Sequence, residues 1–331
     1  MPDNDIAAIV IGRNEGSRLK RCLTALAGAV RVLIYVDSGS TDDSVRAARK
    51  IGAEIVELDM SIPFTAARAR NAGFDALQSR PDKAAFNIVQ FVDGDCEIID
   101  DWIDIGRGFL AEQETVGIVY GRLIERSPGS SVYNLMCNME WDLPVGEVSS
   151  CGGNAMMRVA AFKDVGGYNA SMIAGEEPEL CYRIRQKGWR IFSLEENMVI
   201  HEADIAHFFQ WWKRAVRSGN AYAEGHAMHG EIFSGYRAKT IWSIFIWAFV
   251  LPIVIIGFAQ WTGGLSVFFL CGYGLLWWRI RKSKIGKKFT PFEAGIFAMF
   301  SVVGKFAQLI GVIRYWTRRV FRRDPELIEY K

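Results

Sequence analysis

The sequence predicts an α/β domain with a mostly parallel sheet and flanking helices, followed by a membrane-associated tail. Short runs rich in Ile and Val alternate with helical patterns along the first hundred residues, and polar turns follow those runs directly. The 39 residues between Lys239 and Arg279 contain no Asp, Glu, Lys or Arg. We therefore divide the chain into a globular domain over residues 1–230 and a membrane domain over residues 231–331.

The first part of the chain has the pattern of βαβ units. Four apolar runs have the length and composition of strands that are buried on both faces, as in a parallel sheet: residues 6–11, 32–36, 53–58 and 86–92. After about residue 115 the pattern loosens into further strands and helices, which complete the sheet and the other wall of a cleft. Open α/β sheets bind ligands at the carboxyl ends of their strands, so the site residues are expected there.

The uncharged stretch of the tail predicts two membrane spans. As a helix, its 39 residues would extend about 58 Å, close to two hydrocarbon cores of about 30 Å each. Thr-Gly-Gly at 262–264 interrupts the stretch, so we place the spans at about 241–260 and 264–279. The basic cluster at 279–288 would then face the cytoplasm, because Lys and Arg concentrate on cytoplasmic loops. This orientation predicts an inner (plasma) membrane protein with a cytoplasmic globular domain.

A third apolar run leaves two alternatives. Polar and small residues recur at helical spacing over about residues 293–323, which favours an amphipathic helix in the membrane interface. A third crossing would also move the arginines at 314–323 to the outside, against the charge rule. Lys305 could instead face the interior of a helix bundle, so a third span remains the alternative.

Composition narrows the partners. Residues 1–230 carry 24 basic and 32 acidic side chains, whereas residues 231–331 carry 15 and 5. A basic tail with long apolar runs suits an anionic lipid surface, and we expect no nucleic-acid partner. The six cysteines show no CxxC pair and no metal spacing, so we interpret them as reduced core thiols of a cytoplasmic protein. The oligomeric state stays open, with a homo-oligomer as one option.

Two carboxylates stand one residue apart where the fourth apolar run ends. Asp93 and Asp95 flank Gly94 in the sequence VDGD, and ionised carboxylates that close repel each other. Mn²⁺ or Mg²⁺ would remove the repulsion and bind phosphate oxygens, and the glycine lets the backbone approach the ligand. The pattern predicts a metal bridge to a diphosphate, with an ordinary solvated turn as the alternative.

Polar turns elsewhere predict the rest of a nucleotide site. Asn14 and Glu15 follow the first strand, and Asp37 ends the second, where it could bind a base or ribose or else help to cap the next helix. Further along the chain, Arg70 could bind a diphosphate or lie on a solvated helix face, next to Asn71. We predict that these five residues and Asp93 bind the donor.

Together these motifs resemble the inverting glycosyltransferases of family 2, which have the GT-A fold. The resemblance covers about residues 5–230. The motifs that carry it, in chain order, are VIGRNEG, VDSGSTDDS, ARNAG, VDGD, GGNAMMR, GGYN and GEEPELCYRIRQKGWRI. The basic tail and the ending LIEYK resemble members that act in bacterial exopolysaccharide or surface-glycan assembly.

The resemblance implies a nucleotide-sugar donor and Mn²⁺ or Mg²⁺ as cofactor. It implies that Asp37 binds the base and that Asp93 and Asp95 form the aspartate pair, with Asp95 as the direct metal ligand. His201, in VIHEAD, stands where related enzymes often supply a further metal ligand. A histidine at a strand end is more often structural, which is the alternative for this residue.

The resemblance also implies a carboxylate base, and here the chain departs from the family. Where the family usually has Glu-Asp, this chain has Glu176-Glu177. We predict Glu177 as the base, because Pro178 fits the first helical position and would make Glu177 the N-cap. The positive end of the helix dipole would keep this carboxylate ionised. Glu176 is a rival base, and a plain capping role for Glu177 is the third reading.

The predicted reaction is a single displacement that inverts the anomeric carbon of a donor, with a leaning towards a UDP-sugar. The aromatic and basic residues at 207–225 suggest a helix at lipid headgroups or a cover over the acceptor cleft. We therefore favour a lipid-linked saccharide acceptor, such as a polyprenyl-diphosphate saccharide. The alternatives are a processive polysaccharide synthase, a polyprenyl-phosphate sugar synthase, a nucleotidyltransferase and a non-enzymatic membrane scaffold. A hydride-transfer enzyme is disfavoured because no GxGxxG follows the first strand.

Overall fold

The computed structural model describes residues 5–231, 235–285 and 289–321. Contacts divide the chain into two compact units, Met1–Ser127 with Glu140–Ala203, and Pro128–Met139 with Asp204–Lys331. This division differs from the predicted boundary at residue 230, because the long helix after Ala203 packs within the second unit and residues 128–139 join it. The ending LIEYK and residues 322 and 323 of the predicted interfacial helix lie outside the described residues.

A single mixed sheet forms the centre of the first unit. Its strands in the described residues are β1 Ile6–Gly12, β2 Val32–Asp37, β3 Glu54–Glu57, β4 Ile88–Asp93, β5 Cys96–Ile98, β6 Val116–Glu125, β7 Gly146–Glu147, β8 Ala155–Arg158 and β9 Arg190–His201. Their order across the sheet is β3-β2-β1-β4-β8-β6-β9-β5, and β7 pairs with β9.

Helices flank this sheet and make up the second unit. The α-helices of the chain are α1 Ser17–Leu26, α2 Ser44–Ile51, α3 Ala66–Ser79, α4 Trp102–Glu112, α5 Val132–Glu140, α6 Val159–Asp164, α7 Glu176–Gln186, α8 Phe208–His229, α9 Ala238–Phe245, α10 Leu251–Gly257, α11 Cys271–Lys284 and α12 Pro291–Val320. Short 3₁₀ turns occur at Lys83–Ala85 and Leu265–Leu270, and Ile246–Val250 forms one π turn between α9 and α10.

The predicted α/β class is confirmed, and the four predicted runs are β1 to β4. These four strands are parallel, whereas β8 runs antiparallel to both β4 and β6, and β5 and β7 run antiparallel to β9. Only two residues separate β4 from β5, so the chain turns directly into β5 without the crossover that a parallel strand needs. The expectation of a mostly parallel sheet therefore holds for the first four strands, and the sheet as a whole is mixed.

The sheet order brings the candidate site residues to one edge. Gly12 of β1 is paired with Asp37 of β2, and Ile11 with Asp93 of β4. The two antiparallel steps at β8 give β6 and β9 the same direction as β4. Consequently the carboxyl ends of β1, β2, β4, β6 and β9 all lie at this edge, and β5 begins there.

Glycine in the ARNAG motif has a packing role. A Cβ atom on Gly73 of α3 would lie 2.4 Å from Cγ2 of Ile9 and 2.9 Å from Cγ2 of Val36, both in the sheet. Interiors this tightly packed have no room for another methyl group. The glycine therefore lets α3 lie directly on β1 and β2, which sets the position of the helix that carries Arg70.

The cysteines are free thiols in the described structure, as predicted. Five of the six are buried, and Cys271, in the apolar tail, is exposed, which corrects the prediction that all of them lie in a core. The Sγ atoms of Cys151 and Cys181 lie 3.4 Å apart without a disulfide bond.

The second unit exposes a large apolar surface. Among the described residues, two helical stretches are long and apolar enough to cross a membrane by length and composition, Ala238–Gly257 and Pro291–Val320. In the most apolar 18-residue segment of each stretch, only 11% and 22% is buried. The core helix of a soluble protein would be mostly buried. Trp261, beyond the first stretch, is 88% exposed. Apolar surface of this extent is typical of a face that contacts lipid or a partner protein.

The helices only partly match the predicted spans. The first stretch overlaps the predicted span at 241–260. The predicted second span at 264–279 consists of the 3₁₀ turn Leu265–Leu270 and then α11, whose last turns carry basic residues, and it is not among the two candidates. The predicted interfacial helix, α12, is one of the two. Whether α12 crosses a membrane or lies in its interface stays open.

Helices α8 and α12 pack closely inside the second unit. A Cβ atom on Gly219 would lie 2.0 Å from the Gln308 carbonyl oxygen, and one on Gly311 the same 2.0 Å from the Val216 carbonyl oxygen. Small residues of this kind let helix backbones touch. Trp211 of α8 is buried and contacts Phe300 of α12, with ring centroids 4.9 Å apart. This tryptophan therefore packs between helices, which differs from the predicted position at lipid headgroups.

Candidate active site

The turn between β4 and β5 carries the two predicted aspartates. The Gly94 N–H donates to the Ile11 carbonyl oxygen at 2.8 Å, and a Cβ atom on Gly94 would lie 3.1 Å from that oxygen. The glycine therefore permits a close backbone approach that holds the turn against β1. The Asp93 side chain is one-third exposed at 33%, and that of Asp95 is 9% exposed.

Arg70 is the centre of a buried cluster of charges. Its Nη2 donates to Asp93 Oδ1 at 2.8 Å, and its Nη1 donates to Glu176 Oε1 at 2.9 Å and lies 3.2 Å from Glu177 Oε1. The side chain is 2% exposed, so the alternative of a solvated helix face is wrong. Arg70 thus links the aspartate turn to the start of α7. A buried arginine with three carboxylates around it is held by charge pairs whose loss leaves the partner charges uncompensated.

The GGNAMMR motif packs against this cluster. A Cβ atom on Gly153 would lie 2.4 Å from Arg70 Nη2 and 2.6 Å from Asp93 Oδ2. The next residue, Asn154, accepts a hydrogen bond from the Asp93 N–H at 3.0 Å. Only a residue without a side chain fits at 153, and this contact holds Asp93 and Arg70 in place.

Glu177 lies in the first turn of α7, beside Arg70. Burial and the neighbouring charge of Glu176 raise its pKa from the ordinary range to about 7, against the opposing effect of Arg70. A carboxylate with a pKa near 7 is suited to accept a proton at neutral pH. The prediction that Glu177 is the N-cap is wrong: the helix begins at Glu176, and Gly175 is the cap with φ 80°. The glycine can adopt this left-handed conformation, which allows the helix to start one residue earlier.

A second group of side chains surrounds Asp95. In the described part of the chain, Asp95, Cys96 and His201 form one cluster whose ligand atoms lie within 4.8 Å of one another. Asp95 Oδ2 is 3.5 Å from His201 Nε2. Burial and the nearby carboxylates of Asp95 and Asp93 raise the pKa of Cys96 well above its usual range. Asp95 and His201 offer the oxygen and imidazole ligands that a divalent cation such as Mn²⁺ accepts, and the Cys96 thiol lies beside them.

Glu125 lies beside His201, at the ring nitrogen that does not face Asp95. Glu125 was not among the site residues predicted from the sequence. Its Oε2 is 3.9 Å from His201 Nδ1. Burial alone would raise the pKa of Glu125, but the adjacent imidazole of His201 and hydrogen bonds from the N–H groups of Ala203 and Ser127 lower it overall. A lone acidic residue that ends an apolar run, as in VYGRLIE, is the signal that could have indicated it.

The two predicted donor loops are tied to each other. The Asn14 N–H donates to Ser40 Oγ at 2.9 Å, and Asn14 Oδ1 accepts from the Thr41 N–H at 2.7 Å. The Gly16 N–H donates to Asp42 Oδ2 at 3.1 Å. These bonds join the turns after β1 and β2 into one rim, as expected for the edge of a cleft. Asn14 has φ 55°, a left-handed conformation that asparagine tolerates better than most residues.

Asp37 organises its own loop. Its Oδ2 accepts from the N–H groups of Gly39 and Ser40 at 3.0 and 2.8 Å, and its Oδ1 accepts from the Tyr35 hydroxyl at 2.9 Å. An ionised carboxylate has about four acceptor positions, so capacity for a ligand remains. Asp37 is not the cap of α2, whose N-cap is Asp43; just before the helix, Asp42 accepts from the Ser44 N–H at 3.0 Å.

The remaining predicted donor residues make contacts within the protein. Asn71 forms a pair of hydrogen bonds with the backbone of Tyr168, with its amide donating at 2.8 Å and its oxygen accepting at 2.9 Å. Asn71 thereby fastens α3 to the GGYN motif. Glu15 forms an ion pair with Arg18 at 2.9 Å and lies close to Gly94, at the same rim as Asn14.

The sheet edge of the first unit thus combines polar loops with paired aspartates. Residues 7–166, just under half of the chain, match the family model described as Glycosyl transferase family 2. The GT-A-like fold that the motifs predicted is confirmed.

Two curated relatives are similar in sequence. A pre-mycofactocin glycosyltransferase of Mycobacterium tuberculosis is 28% identical over 60% of this chain and 43% of that protein. Succinoglycan biosynthesis protein ExoA of Rhizobium meliloti is 24% identical over 57% of this chain and 60% of that protein. The aligned segment thus spans about half the length of each relative.

One solved structure is similar over most of the chain. The mannosyltransferase PcManGT from Pyrobaculum calidifontis, in complex with GDP-Man and Mn²⁺, aligns with a TM-score of 0.63 over 94% of this chain and 87% of that one. At 16% sequence identity the likeness shows the fold alone.

Proposed function

We propose that this protein is a membrane-bound, metal-dependent, inverting glycosyltransferase that moves a sugar from a nucleotide-diphosphate sugar to a lipid-linked saccharide. The observation that carries the proposal is the convergence at one sheet edge. Arg70 joins Asp93 to Glu177, and Asp95 of the same turn faces His201. A carboxylate base and a cation site next to each other are what a direct displacement of a diphosphate requires.

Each residue has a distinct task in this reaction. Glu177 accepts the proton of the acceptor hydroxyl as the oxygen attacks the anomeric carbon, and the configuration inverts. Asp95 and His201, with Asp93 beside them, are the candidate ligands of Mn²⁺ or Mg²⁺, which when bound would neutralise the leaving diphosphate. Arg70 holds Glu177 in position through charge pairing. This replaces the predicted role of Arg70 as a fork for the diphosphate, because its guanidinium faces protein carboxylates.

The donor is held at the rim formed by the turns after β1 and β2. Asn14 shapes this rim, and Asp37 keeps acceptor capacity for a base or ribose hydroxyl. The sequence favours uridine as the base of the donor nucleotide. The structural neighbour bound to GDP-Man makes guanosine a second base to test.

A lipid-linked acceptor is supported by the apolar tail. Two helices long enough to cross a membrane, both mostly unburied, would keep the enzyme at the bilayer surface where such acceptors reside. The similarity to a succinoglycan biosynthesis protein favours exopolysaccharide or surface-glycan assembly over other pathways. The arginines and lysines of the tail support a location at the inner membrane with the first unit in the cytoplasm, because such residues concentrate on cytoplasmic loops.

A donor screen tests the proposal. Membranes containing the protein are supplied with UDP- and GDP-sugars, Mn²⁺ or Mg²⁺ and a lipid extract, and release of nucleoside diphosphate is measured. We expect release with one donor, dependent on metal and lipid, and a lipid product heavier by one sugar. Asp95→Asn should abolish release, while Asp100→Asn, which changes an exposed aspartate nearby, should not.

The product separates the alternatives. A long polymer would indicate a processive polysaccharide synthase, and activity on bare polyprenyl phosphate would indicate a polyprenyl-phosphate sugar synthase. Release of pyrophosphate would indicate a nucleotidyltransferase. Absence of turnover with every donor, together with metal binding that Asp95→Asn leaves unchanged, would contradict the enzymatic proposal and favour a scaffold.

A further inference from the structure

His201 lies between two carboxylates that come from different strands. It ends β9, where it is paired with Glu125 at the end of β6 on one side and with Cys96 at the start of β5 on the other. Its Nε2 is 3.5 Å from Asp95 Oδ2, and its Nδ1 is 3.9 Å from Glu125 Oε2. The two ring nitrogens therefore face different acidic groups.

Glu125 is fixed where it stands. Its side chain is fully buried, its Oε2 accepts from the Ala203 N–H at 3.0 Å, and its Oε1 accepts from the Ser127 N–H at 3.2 Å. The carboxylate cannot turn away from the imidazole without losing both backbone bonds. Burying a charge is costly unless it is paired and hydrogen-bonded, and Glu125 is held by these backbone bonds beside His201.

The imidazole is fixed as well. The Trp141 ring meets it edge-on, with centroids 4.7 Å apart, and the Arg126 N–H donates to the His201 carbonyl oxygen at 2.8 Å. These contacts come from the indole and the backbone, so they restrict the orientation of the ring without occupying Nε2. The side of the ring that faces Asp95 is the one directed to the candidate cation site.

We propose that Glu125 is a positioning residue that keeps the Nδ1–H of His201 directed at itself and so presents the Nε2 lone pair to a divalent cation shared with Asp95. The inference rests on the proposed function and deepens its metal site. The Nδ1–Oε2 separation of 3.9 Å is longer than a hydrogen bond, but the carboxylate can only accept, so its charge favours a hydrogen on the nitrogen that faces it. In a neutral imidazole the other nitrogen then carries the lone pair, and a carboxylate behind a histidine ligand is a common way to fix this tautomer.

One rival arrangement uses the same three side chains. A doubly protonated His201 would donate to Glu125 and to Asp95 at once, and the site would then need no cation. The two arrangements differ in whether the site binds Mn²⁺.

The test measures Mn²⁺ affinity of the full chain in detergent, without donor, by the electron paramagnetic resonance signal of free Mn²⁺. Glu125→Gln retains shape but removes the negative charge that favours a hydrogen on Nδ1. We expect it to weaken Mn²⁺ binding about 10- to 100-fold. Glu202→Gln removes the same charge next to His201, but its carboxylate pairs with Arg21, so we expect a change of no more than about twofold.

A second measurement needs no variant. The chain has four histidines, so a ¹⁵N-histidine spectrum of the metal-free protein is simple, and His201→Gln assigns the signal of His201. We expect the neutral ring to carry its hydrogen on Nδ1. A neutral ring with its hydrogen on Nε2, or Mn²⁺ affinity in Glu125→Gln within about twofold of the wild type, would overturn the inference. If the wild-type protein itself binds no Mn²⁺, the metal site of the proposed function fails, irrespective of Glu125.

Discussion

Arg70 determines how three acidic side chains share one small volume. Asp93, Glu176 and Glu177 come from two separate parts of the chain, and all three lie within 3.2 Å of its guanidinium. The motif ARNAG predicted an arginine near the site, but its partners depend on how α3 and α7 pack, which no local pattern encodes. The same packing gives Glu177 its raised pKa, because burial and Glu176 together oppose its ionisation.

The first prediction concerns the pH dependence of turnover. A base must be ionised, so kcat should fall as the pH drops below the Glu177 pKa of about 7. Initial rates at saturating donor and metal, from pH 5.5 to 8.5, would measure this. A rate that is constant across that range would contradict the assignment of Glu177.

The second prediction concerns stability. The pKa of Glu177 is raised in the folded protein, so its contribution to folding is greatest below its unfolded pKa and is lost as the pH rises through about 7. Glu177→Gln resembles the protonated acid at every pH. We expect the variant to exceed the wild type in the free energy of unfolding at pH 8, on the order of 1 kcal/mol, with little difference at pH 5. Thermal unfolding in detergent with EDTA at both pH values measures it, and a variant that is less stable at pH 8 would refute this reading.

Short elements position the site as much as the long ones do. The strands β1 to β4 could be predicted because each is a run of Ile and Val bounded by helices. The strands β5, β7 and β8 have three, two and four residues, too few to show a period. The partnership of Glu125 with His201 depends on the register of β6 against β9, and residues so far apart in sequence give no local signal of it.

The third prediction compares substitutions at two adjacent glycines, Gly152 and Gly153, in the loop before β8. A methyl group on Gly153 would clash with Arg70 and Asp93, whereas one on Gly152 would meet nothing within 4 Å. Gly153→Ala should therefore lower kcat at least about 10-fold and destabilise the fold by about 1–3 kcal/mol. Gly152→Ala should leave both close to wild type. Equal behaviour of the two variants in rate and unfolding assays would show that the close approach at Gly153 has no consequence.

At the scale of the whole molecule, charge and hydropathy show that the chain has a globular part and an apolar, basic tail. They do not locate the boundary between the two parts. The apolar tail and its basic excess could be read from sequence, and the described helices of that region are largely unburied. The division by contacts differs from the predicted boundary at residue 230 because α8, which resembles an independent amphipathic segment, packs on α12 through Gly219 and Gly311, which are 92 residues apart in sequence. Such pairing depends on shape, which composition does not report.

The fourth prediction concerns membrane attachment. If the exposed apolar helices are embedded in lipid, the full chain should remain in the membrane pellet after extraction with alkaline carbonate and should require detergent for release. A peripheral protein held by its basic residues alone would instead be released by high salt. Recovery of the chain in the soluble fraction without detergent would contradict the membrane assignment.

The central claim is that a carboxylate base at Glu177 and a cation at the aspartate turn together drive transfer of a sugar. The most direct measurement is the initial rate of nucleoside diphosphate release with Mn²⁺ or with EDTA, for the wild type, Glu177→Gln and the exposed control Glu147→Gln. We predict that the wild type and the control need the metal and that Glu177→Gln is about 10²- to 10⁴-fold slower with Mn²⁺. A Glu177→Gln enzyme as fast as the wild type, or release that EDTA leaves unchanged, would contradict the claim.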